Sequence, residues 1–240
     1  MKTRLDQLLV ERGLAESRQK AQALVLAGHV LVAGQKTDKP GHSVPDDCRL
    51  EVLERMPYVS RGGLKLAAAL ENFAIDVTGR VCLDVGCSTG GFTDCLLQHG
   101  AAHVWAVDVG HGQLDWKLRT DPRVTLREGV NARYMRPEEF AQKFSVAVCD
   151  ASFISTTLLI PAIVPLLTLD GTLVLLVKPQ FEVGRADVPK GGIVRDAKLH
   201  AAACDRVRSC VESLGFHAEI MESPIRGAEG NREFLLYAHH

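Results

Sequence analysis

Leu83-Asp84-Val85-Gly86-Cys87-Ser88-Thr89-Gly90-Gly91-Phe92-Thr93 is the stretch on which the fold turns. An apolar run reaches Asp84 and Val85, glycines follow where the chain must turn tightly, and a helix is expected from about Gly91. Strand, turn and helix in that order open an α/β sheet, whose ligands bind at the carboxyl ends of the strands. Two phosphate-binding readings of the glycines fail. A dinucleotide fingerprint needs a middle glycine where Ser88 stands. A P-loop needs Lys and then Ser or Thr after its second glycine; with Gly86 and Gly91 in those roles, Phe92-Thr93 follow instead.

S-adenosylmethionine is the third reading. It carries a sulfonium and an amino group and no phosphate, so glycines serve it by letting backbone approach closely. The turn supplies Gly86, Ser88, Thr89, Gly90 and Gly91, and the Asp84 carboxylate suits the cationic end of the cofactor. Asp108 closes the next apolar strand, where a carboxylate can accept hydrogen bonds from ribose hydroxyls, and Asp150 ends a third. Asn131, after Glu128-Gly129-Val130, falls on the adenine side by analogy with related enzymes; an ordinary loop asparagine is the competing reading. Some other enzyme of nucleotide-binding fold stays open as an alternative.

Working outward, apolar runs at Val81–Val85, 104–107, 146–149 and 173–177 alternate with amphipathic segments, as buried parallel strands and their helices do. The chain has 240 residues, 46% hydrophobic and 24% charged, which excludes a disordered chain and allows a medium domain plus a small one. A net charge of −1 provides no global field for nucleic acid, so such contacts must come from locally placed Arg and Lys. The seven cysteines contain no C-x-x-C pair, which argues against a zinc site and suits a reducing cytoplasm; no metal is expected. Residues 1–14 are charged throughout, unlike a signal peptide. The most apolar region, 158–177, is interrupted by Pro161, Pro165, Asp170 and Gly171, so it reads as helix, turn and buried strand rather than a membrane span. A soluble protein is expected.

The first 55 residues have a different texture. Thr3 is placed to cap a helix carrying Leu5, Leu8 and Leu9, and Ser17 a second carrying Ala21, Leu24 and Val25, with Gly13 and Gly28 as their stops. Residues 29–32, an Ala33-Gly34 turn and Gln35-Lys36 suggest a hairpin, and residues 50–53 another strand. So small a core favours an appended binding module. Arg4-Leu5-Asp6, Gly13-Leu14, Ser17-Arg18, Ala21, Leu24, Gly28-His29-Val30 and Val32 with Gly34 resemble the alpha-L RNA-binding module of a small-subunit ribosomal protein. Ala33 departs from it, since Asn is common there and tolerates positive φ. The resemblance implies that Arg18 and Lys20 face phosphates with Arg4 nearby; solvated helix charges are the alternative. The expected organisation is an RNA-binding domain at 1–55, a linker at 56–59 around Met56-Pro57-Tyr58, and a catalytic domain at 60–240.

A sulfonium methyl is already activated, so the enzyme must hold the acceptor in line and help remove its proton. Methylation of a pyrimidine carbon commonly uses a cysteine beside Pro, and no Pro-Cys occurs. Amino-group methyltransferases often carry Asn/Asp-Pro-Pro-aromatic after the fourth strand; Asp150-Ala151-Ser152-Phe153 stands there. The chain offers Lys65 in Ser60-Arg61-Gly62-Gly63-Leu64-Lys65, then Asp150, then Lys178 in Val177-Lys178-Pro179, then Glu233 in Asn231-Arg232-Glu233-Phe234. Lys178 ends a strongly apolar strand, where a charge is costly unless paired or at a functional edge.

This set resembles the Lys-Asp-Lys-Glu tetrad of the FtsJ-type ribose 2′-O-methyltransferases. Taken with the N-terminal module, Val59-Ser60-Arg61-Gly62-Gly63, Asp108-Val109-Gly110, Lys190-Gly191-Gly192-Ile193-Val194-Arg195 and Gly227-Ala228-Glu229-Gly230-Asn231, the chain resembles the TlyA family, whose members also go by hemolysin A. The resemblance implies a Rossmann-like methyltransferase domain with a mostly parallel seven-stranded sheet, and methylation of cytidine 2′-hydroxyls in ribosomal RNA. It implies that Lys178 binds the hydroxyl and helps deprotonate it, that Asp150 and Lys65 position and tune it, and that Glu233 completes the network. An ordinary lysine, with a pKa of about 10.4, is a poor base at neutral pH, so orienting the hydroxyl is the firmer half of that role. The long segment at 179–196 reads as an irregular functional loop. Its Arg185, Lys190 and Arg195 can close on RNA phosphates, with Arg61 a further RNA-binding candidate. Two other classes compete: a membrane-active protein, as the name hemolysin suggests, and a non-catalytic RNA-binding assembly factor.

Overall fold

Thr3 caps no helix. It lies in β1 (Lys2–Arg4), paired with Val44, and α1 (Leu5–Glu11) follows from Arg4 without a side-chain cap. A β-branched residue packs well on a strand, and a pairing partner further along the chain claimed it. The computed structural model describes residues 2–53, 56–227 and 229–240. Met1, Glu54 and Arg55, which belong to the expected first domain, and Ala228 of the 227–231 motif lie outside the described residues. The chain divides into two compact units, Met1–Met56 and Pro57–His240.

In the first unit, α2 (Arg18–Leu26) begins where Ser17 Oγ accepts a hydrogen bond from Lys20 N–H at 3.2 Å. β2 (Val30–Val32) and β3 (Gln35–Lys36) form the hairpin, with Ala33 at φ 49° and Gly34 at φ 81°. Two successive left-handed residues make the turn that matches strand twist, and Ala33 bears the steric cost that Asn or Gly would avoid. β4 (Ser43–Pro45) pairs with β1, and β5 (Leu50–Val52) with β2. Leu5, Leu8, Leu9, Ala21, Val25, Val30 and Val44 form the core.

The second unit runs α3 (Gly62–Asn72), β6 (Val81–Val85), α4 (Gly91–Gln98), β7 (His103–Val107), α5 (Trp116–Arg119), β8 (Val124–Arg127), β9 (Phe144–Cys149), α6 (Ile160–Ile163), β10 (Leu167–Val177), α7 (Pro179–Glu182), α8 (Ala197–Glu212), β11 (His217–Glu222) and β12 (Phe234–His239). The strands form one seven-stranded sheet in the order β11-β12-β10-β9-β6-β7-β8, parallel except where β12 runs against both its neighbours. Alternation along β10 shows why the sheet is buried on both faces. Leu173, Leu175 and Val177 enter one core with Ile160, Ile163 and Val207, and Val174 and Leu176 enter the other with Leu66, Leu70 and Leu96. Region 158–177 is short helical turns and then β10; among the described residues no helix is long and apolar enough to cross a membrane.

The strand order reverses between β6 and β9. Connections leave that point in opposite directions, so the loops after these two strands part and open a crevice at their carboxyl ends. Val85 and Leu175 both pair with Cys149, which brings the chain beyond β6, β9 and β10 to that same end. Residues 57–59 belong to this unit: Pro57 C=O accepts from Gln98 Nε2, and Val59 N–H donates to the buried Asp94.

Candidate active site

Two cavities open side by side at this edge and share Gly86, Ser88, Asp150, Ser152 and Phe153 in their walls. The first, of about 450 Å³, is lined by Asp108, Val109, Gln113, Val130, Asn131 and Ala132 as well as the shared residues. The turn after β6 forms its floor. Gly86 has φ +79°, and a Cβ there would lie 2.8 Å from the Asp150 carbonyl oxygen, so only glycine fits this close approach. Asp108 ties the turn down: Oδ2 accepts from Ser88 N–H and Oδ1 from Gly110 N–H, each at 2.7 Å. Asn131 lines the same cavity, with its Oδ1 accepting from Arg133 N–H at 3.1 Å.

Asp84 is set behind this wall, not in it. It is wholly buried, and Thr93 Oγ1 donates to its Oδ2 at 2.6 Å; Oδ1 has no hydrogen-bond partner among the described residues. Burial above all pushes its carboxyl up to about 7, opposed by the Thr93 hydrogen bond, while the Asp150 and Asp108 carboxylates push it further up. Gly90 is likewise structural, since its Cα faces the Leu114 and Leu118 side chains. Thr89 and Gly91 line the second cavity, where a Cβ on Gly91 would strike Ser60 and the Gly63 backbone.

The second cavity, of about 490 Å³, gathers Lys65, Asp150, Lys178 and Glu233. They arrive from α3, the ends of β9 and β10, and the start of β12, and they form two ion pairs. Lys65 Nζ donates to Glu233 Oε2 at 2.5 Å, with both side chains nearly buried. Lys178 Nζ lies 2.6 Å from Asp150 Oδ1 and donates to Ser152 Oγ at 2.7 Å. Gly227 leaves the space that the Glu233 carboxylate fills. At the mouth, Phe153 is 91% exposed and held at φ 65°, with its ring 5.4 Å from that of Phe181. A bulky side chain at positive φ is strained backbone, of a kind that clusters at functional sites.

Ser152, Phe181, Asn231 and Glu182 are cavity or supporting residues to which the sequence reading gave no role. Glu182 is buried and accepts from Ser155 Oγ and Thr156 N–H, bracing the chain that carries Ser152 and Phe153. Only its place in a segment expected to be loop hid it: residues 179–196 open with helix α7 and a 3-10 turn at Arg185–Asp187. Arg61 lines the cavity from the start of α3, and Arg185, Lys190 and Arg195 are exposed. Cys149, beside Asp150, is fully buried, and burial pushes its thiol up to about 12. No cluster of metal-ligating side chains exists among the described residues.

In the N-terminal unit the cations are organised by a residue whose part was not foreseen. Asp6 is fully buried, and its carboxylate accepts two hydrogen bonds from Arg4, one from Arg18 at 3.0 Å and one from Gln22 at 2.8 Å. These bonds, the one from Arg4 foremost, hold its carboxyl well below the usual range despite burial. Arg4 and Arg18 remain about half exposed, so Asp6 fixes two guanidinium groups in place at the surface. Lys20 pairs with Glu16 on the helix surface.

Against this geometry, the model of the FtsJ-like methyltransferases matches residues 58–240. The chain belongs to the FtsJ-like methyltransferase family. An S4 domain precedes it, matched over residues 3–47. The chain is 47% identical over 239 residues to the Mycobacterium tuberculosis "16S/23S rRNA (cytidine-2'-O)-methyltransferase TlyA", covering 98% of this chain and 89% of the relative. It is 46% identical over 236 residues to "Hemolysin A" of Brachyspira hyodysenteriae, covering 98% of each. A solved structure described as "Putative hemolysin from Streptococcus thermophilus" superposes with a TM-score of 0.77 at 44% identity, covering 99% of this chain and 88% of that one. This FtsJ-like methyltransferase is thus of the TlyA and hemolysin A kind, and S-adenosylmethionine is its methyl donor. The site fits that donor: Gly86 leaves backbone bare, and the mutual repulsion of Asp84, Asp108 and Asp150 is relieved by a cation.

Proposed function

We propose that this protein methylates the 2′-hydroxyl of cytidine in ribosomal RNA. The observation that carries the reading is the geometry at Lys178. An ammonium group has three N–H donors; here one is given to Ser152 Oγ, and the Asp150 carboxylate 2.6 Å away supplies an ion pair, which leaves donor capacity for a substrate oxygen. Lys178 then binds and orients the hydroxyl, while Asp150 and Ser152 fix the direction of the ammonium. Lys65 and Glu233 form the matching pair in the same cavity and balance its charge. Gly86, Ser88, Asp108 and Asn131 would hold the cofactor, which when bound would supply a methyl group already activated on sulfur. With Lys178 an ammonium, the group in this cluster with room for the proton of the hydroxyl is the Asp150 carboxylate, which is partly open to solvent and can pass it on.

Support comes from three further sides. The relative named for cytidine-2′-O methylation shares this chain almost end to end. The Phe153–Phe181 pair offers an exposed aromatic face beside the cavity, suited to stacking on a base taken out of its helix. Cys149 is too deeply buried and too weakly acidic to serve as a nucleophile toward a pyrimidine carbon. We assign residues 1–55 to RNA binding through Arg4, Arg18 and Lys20 and the second unit, from Pro57, to methyl transfer, so that the linker expected at 56–59 shrinks to the chain around Met56; Arg61, Arg185 and Lys190 add phosphate contacts. A reducing cytoplasm suits seven free cysteines and a ribosomal substrate. Incubation with labelled cofactor and unmethylated ribosomal subunits tests the reading. Labelled RNA with the parent and none with Lys178→Ala supports it, and equal labelling by both removes Lys178 from the chemistry.

A further inference from the structure

Asn231 lies in the cavity wall, yet its amide is committed wholly to one stretch of backbone. The residue is 1% exposed; its Oδ1 accepts from Val194 N–H at 2.9 Å, and its Nδ2 donates to Gly192 C=O at 2.9 Å. From α8, His200 brings its Nε2 to 2.9 Å from the Val194 carbonyl, in a ring position that is 4% exposed. Both backbone groups of Val194 are therefore held by buried side chains instead of by a helix or strand. The held segment needs such help, because Gly191 and Gly192 take successive left-handed conformations, φ +97° and +74°, outside any regular element. It carries Lys190 and Arg195 at the surface, and Gly192 lines the substrate cavity. Two residues beyond Asn231, Glu233 grips Lys65. One short stretch of chain thus anchors a basic segment on one side and a catalytic ion pair on the other.

We propose that Asn231 and His200 are positioning residues for methyl transfer: together they clasp residues 190–195 in the arrangement that receives RNA, and Asn231 ties that arrangement to Glu233. The proposal rests on the RNA methyltransferase reading above. His200 acts from outside the substrate cavity and so touches RNA binding only through the segment it holds. Asn231 acts on the segment and on the strand start that presents Glu233. A residue of merely general structural value has a different signature, since its loss lowers cofactor affinity and folding stability together with turnover.

The test compares the full-length parent with His200→Ala, His200→Gln and Asn231→Ala. Three quantities are read: trypsin cleavage after Lys190 and Arg195 without RNA, cofactor Kd, and kcat and KM for ribosomal RNA. Removing a hydrogen bond to a buried backbone group raises the open population of the segment by about tenfold, so cleavage of both alanine variants quickens by that factor. Cofactor Kd stays within about twofold, because the cofactor cavity shares no wall residue with the clasp, and a twofold change is well below the tenfold worth of one such bond. His200→Ala raises the KM for RNA and leaves kcat, whereas Asn231→Ala also lowers kcat through Glu233. His200→Gln, whose amide can donate to the same carbonyl, restores slow cleavage and parental KM. Parental cleavage rates in both alanine variants overturn the proposal, as does a cofactor Kd that worsens in step with turnover. If Asn231→Ala fails to fold, the His200 pair still decides. If the parent methylates no RNA, the functional reading fails on its own, while cleavage and cofactor Kd still judge the clasp.

Discussion

Asp84→Asn isolates the charge problem on which the cofactor site is built. In the folded parent the carboxyl is pushed up to about 7 from an ordinary value of 3.8, by burial first and by Asp150 and Asp108 after it. Between those two values the unfolded chain has released its proton while the folded chain still holds one, so stability falls as pH rises, and the fall ends once pH passes the folded value. Each unit of pH within the window costs about 1.4 kcal/mol. From pH 5 to 7.5 the loss sums to about 2–3 kcal/mol, because the window closes near 7. The asparagine side chain keeps an acceptor for Thr93 Oγ1 and has nothing to titrate, so the variant lacks this slope. Urea unfolding of both proteins at pH 5 and 7.5, without cofactor, gives the difference directly. A parent-minus-variant difference that does not change with pH, or that moves in the parent's favour at pH 7.5, refutes the argument. Adding cofactor shrinks the slope, since a nearby positive charge favours the ionised carboxylate.

Gly86→Ala puts a Cβ 2.8 Å from the Asp150 carbonyl and a side chain at φ +79°; a strain of about 1–3 kcal/mol weakens cofactor binding by roughly ten- to hundredfold, measured by calorimetry. Asp6→Asn leaves Arg4 and Arg18 without their anchor and lowers the stability of the N-terminal unit by about 1–3 kcal/mol in urea titrations, with weaker RNA binding in filter assays. Arg185→Ala and Lys190→Ala each flatten the salt dependence of RNA binding by about 0.7–0.9 in the logarithmic slope, the worth of one phosphate contact. An unchanged slope takes that residue off the RNA surface.

The central strands were legible because a doubly covered parallel sheet needs nearly continuous apolar runs, and 81–85, 104–107, 146–149 and 173–177 are such runs, interrupted only by Asp84. Asp150 and Lys178 were legible for the same reason: a charge that directly follows a buried strand has few places to be except the functional edge. The strands β11 and β12 stayed hidden, since β11 is a half-exposed edge of mixed sequence, and β12 merges with the motif that carries Glu233. Thr3 misled because a cap and a strand residue look alike until Val44 appears beside it. Sequence alone points to Asp84 as a partner for the cationic end of the cofactor; its carboxyl is wholly buried behind the cavity wall, and spacing along one strand cannot tell a direct contact from a support. Apart from Arg4 beside Asp6, the side chains at Asp6, Glu182 and Asn231 act through partners 12 to 39 positions away, and His200 through a carbonyl that Asn231 helps to place; no short pattern encodes such pairings.

The position of the transferred methyl group tests the account most directly. RNA from labelled ribosomal subunits is hydrolysed in alkali, which cuts only where a free 2′-hydroxyl can attack the neighbouring phosphate. Methylation at that oxygen protects the linkage, so the account predicts label in alkali-stable dinucleotides beginning with 2′-O-methylcytidine, and its loss in Lys178→Ala. Label recovered in ordinary mononucleotides places the methyl on a base and contradicts the chemistry assigned to Lys65, Asp150, Lys178 and Glu233.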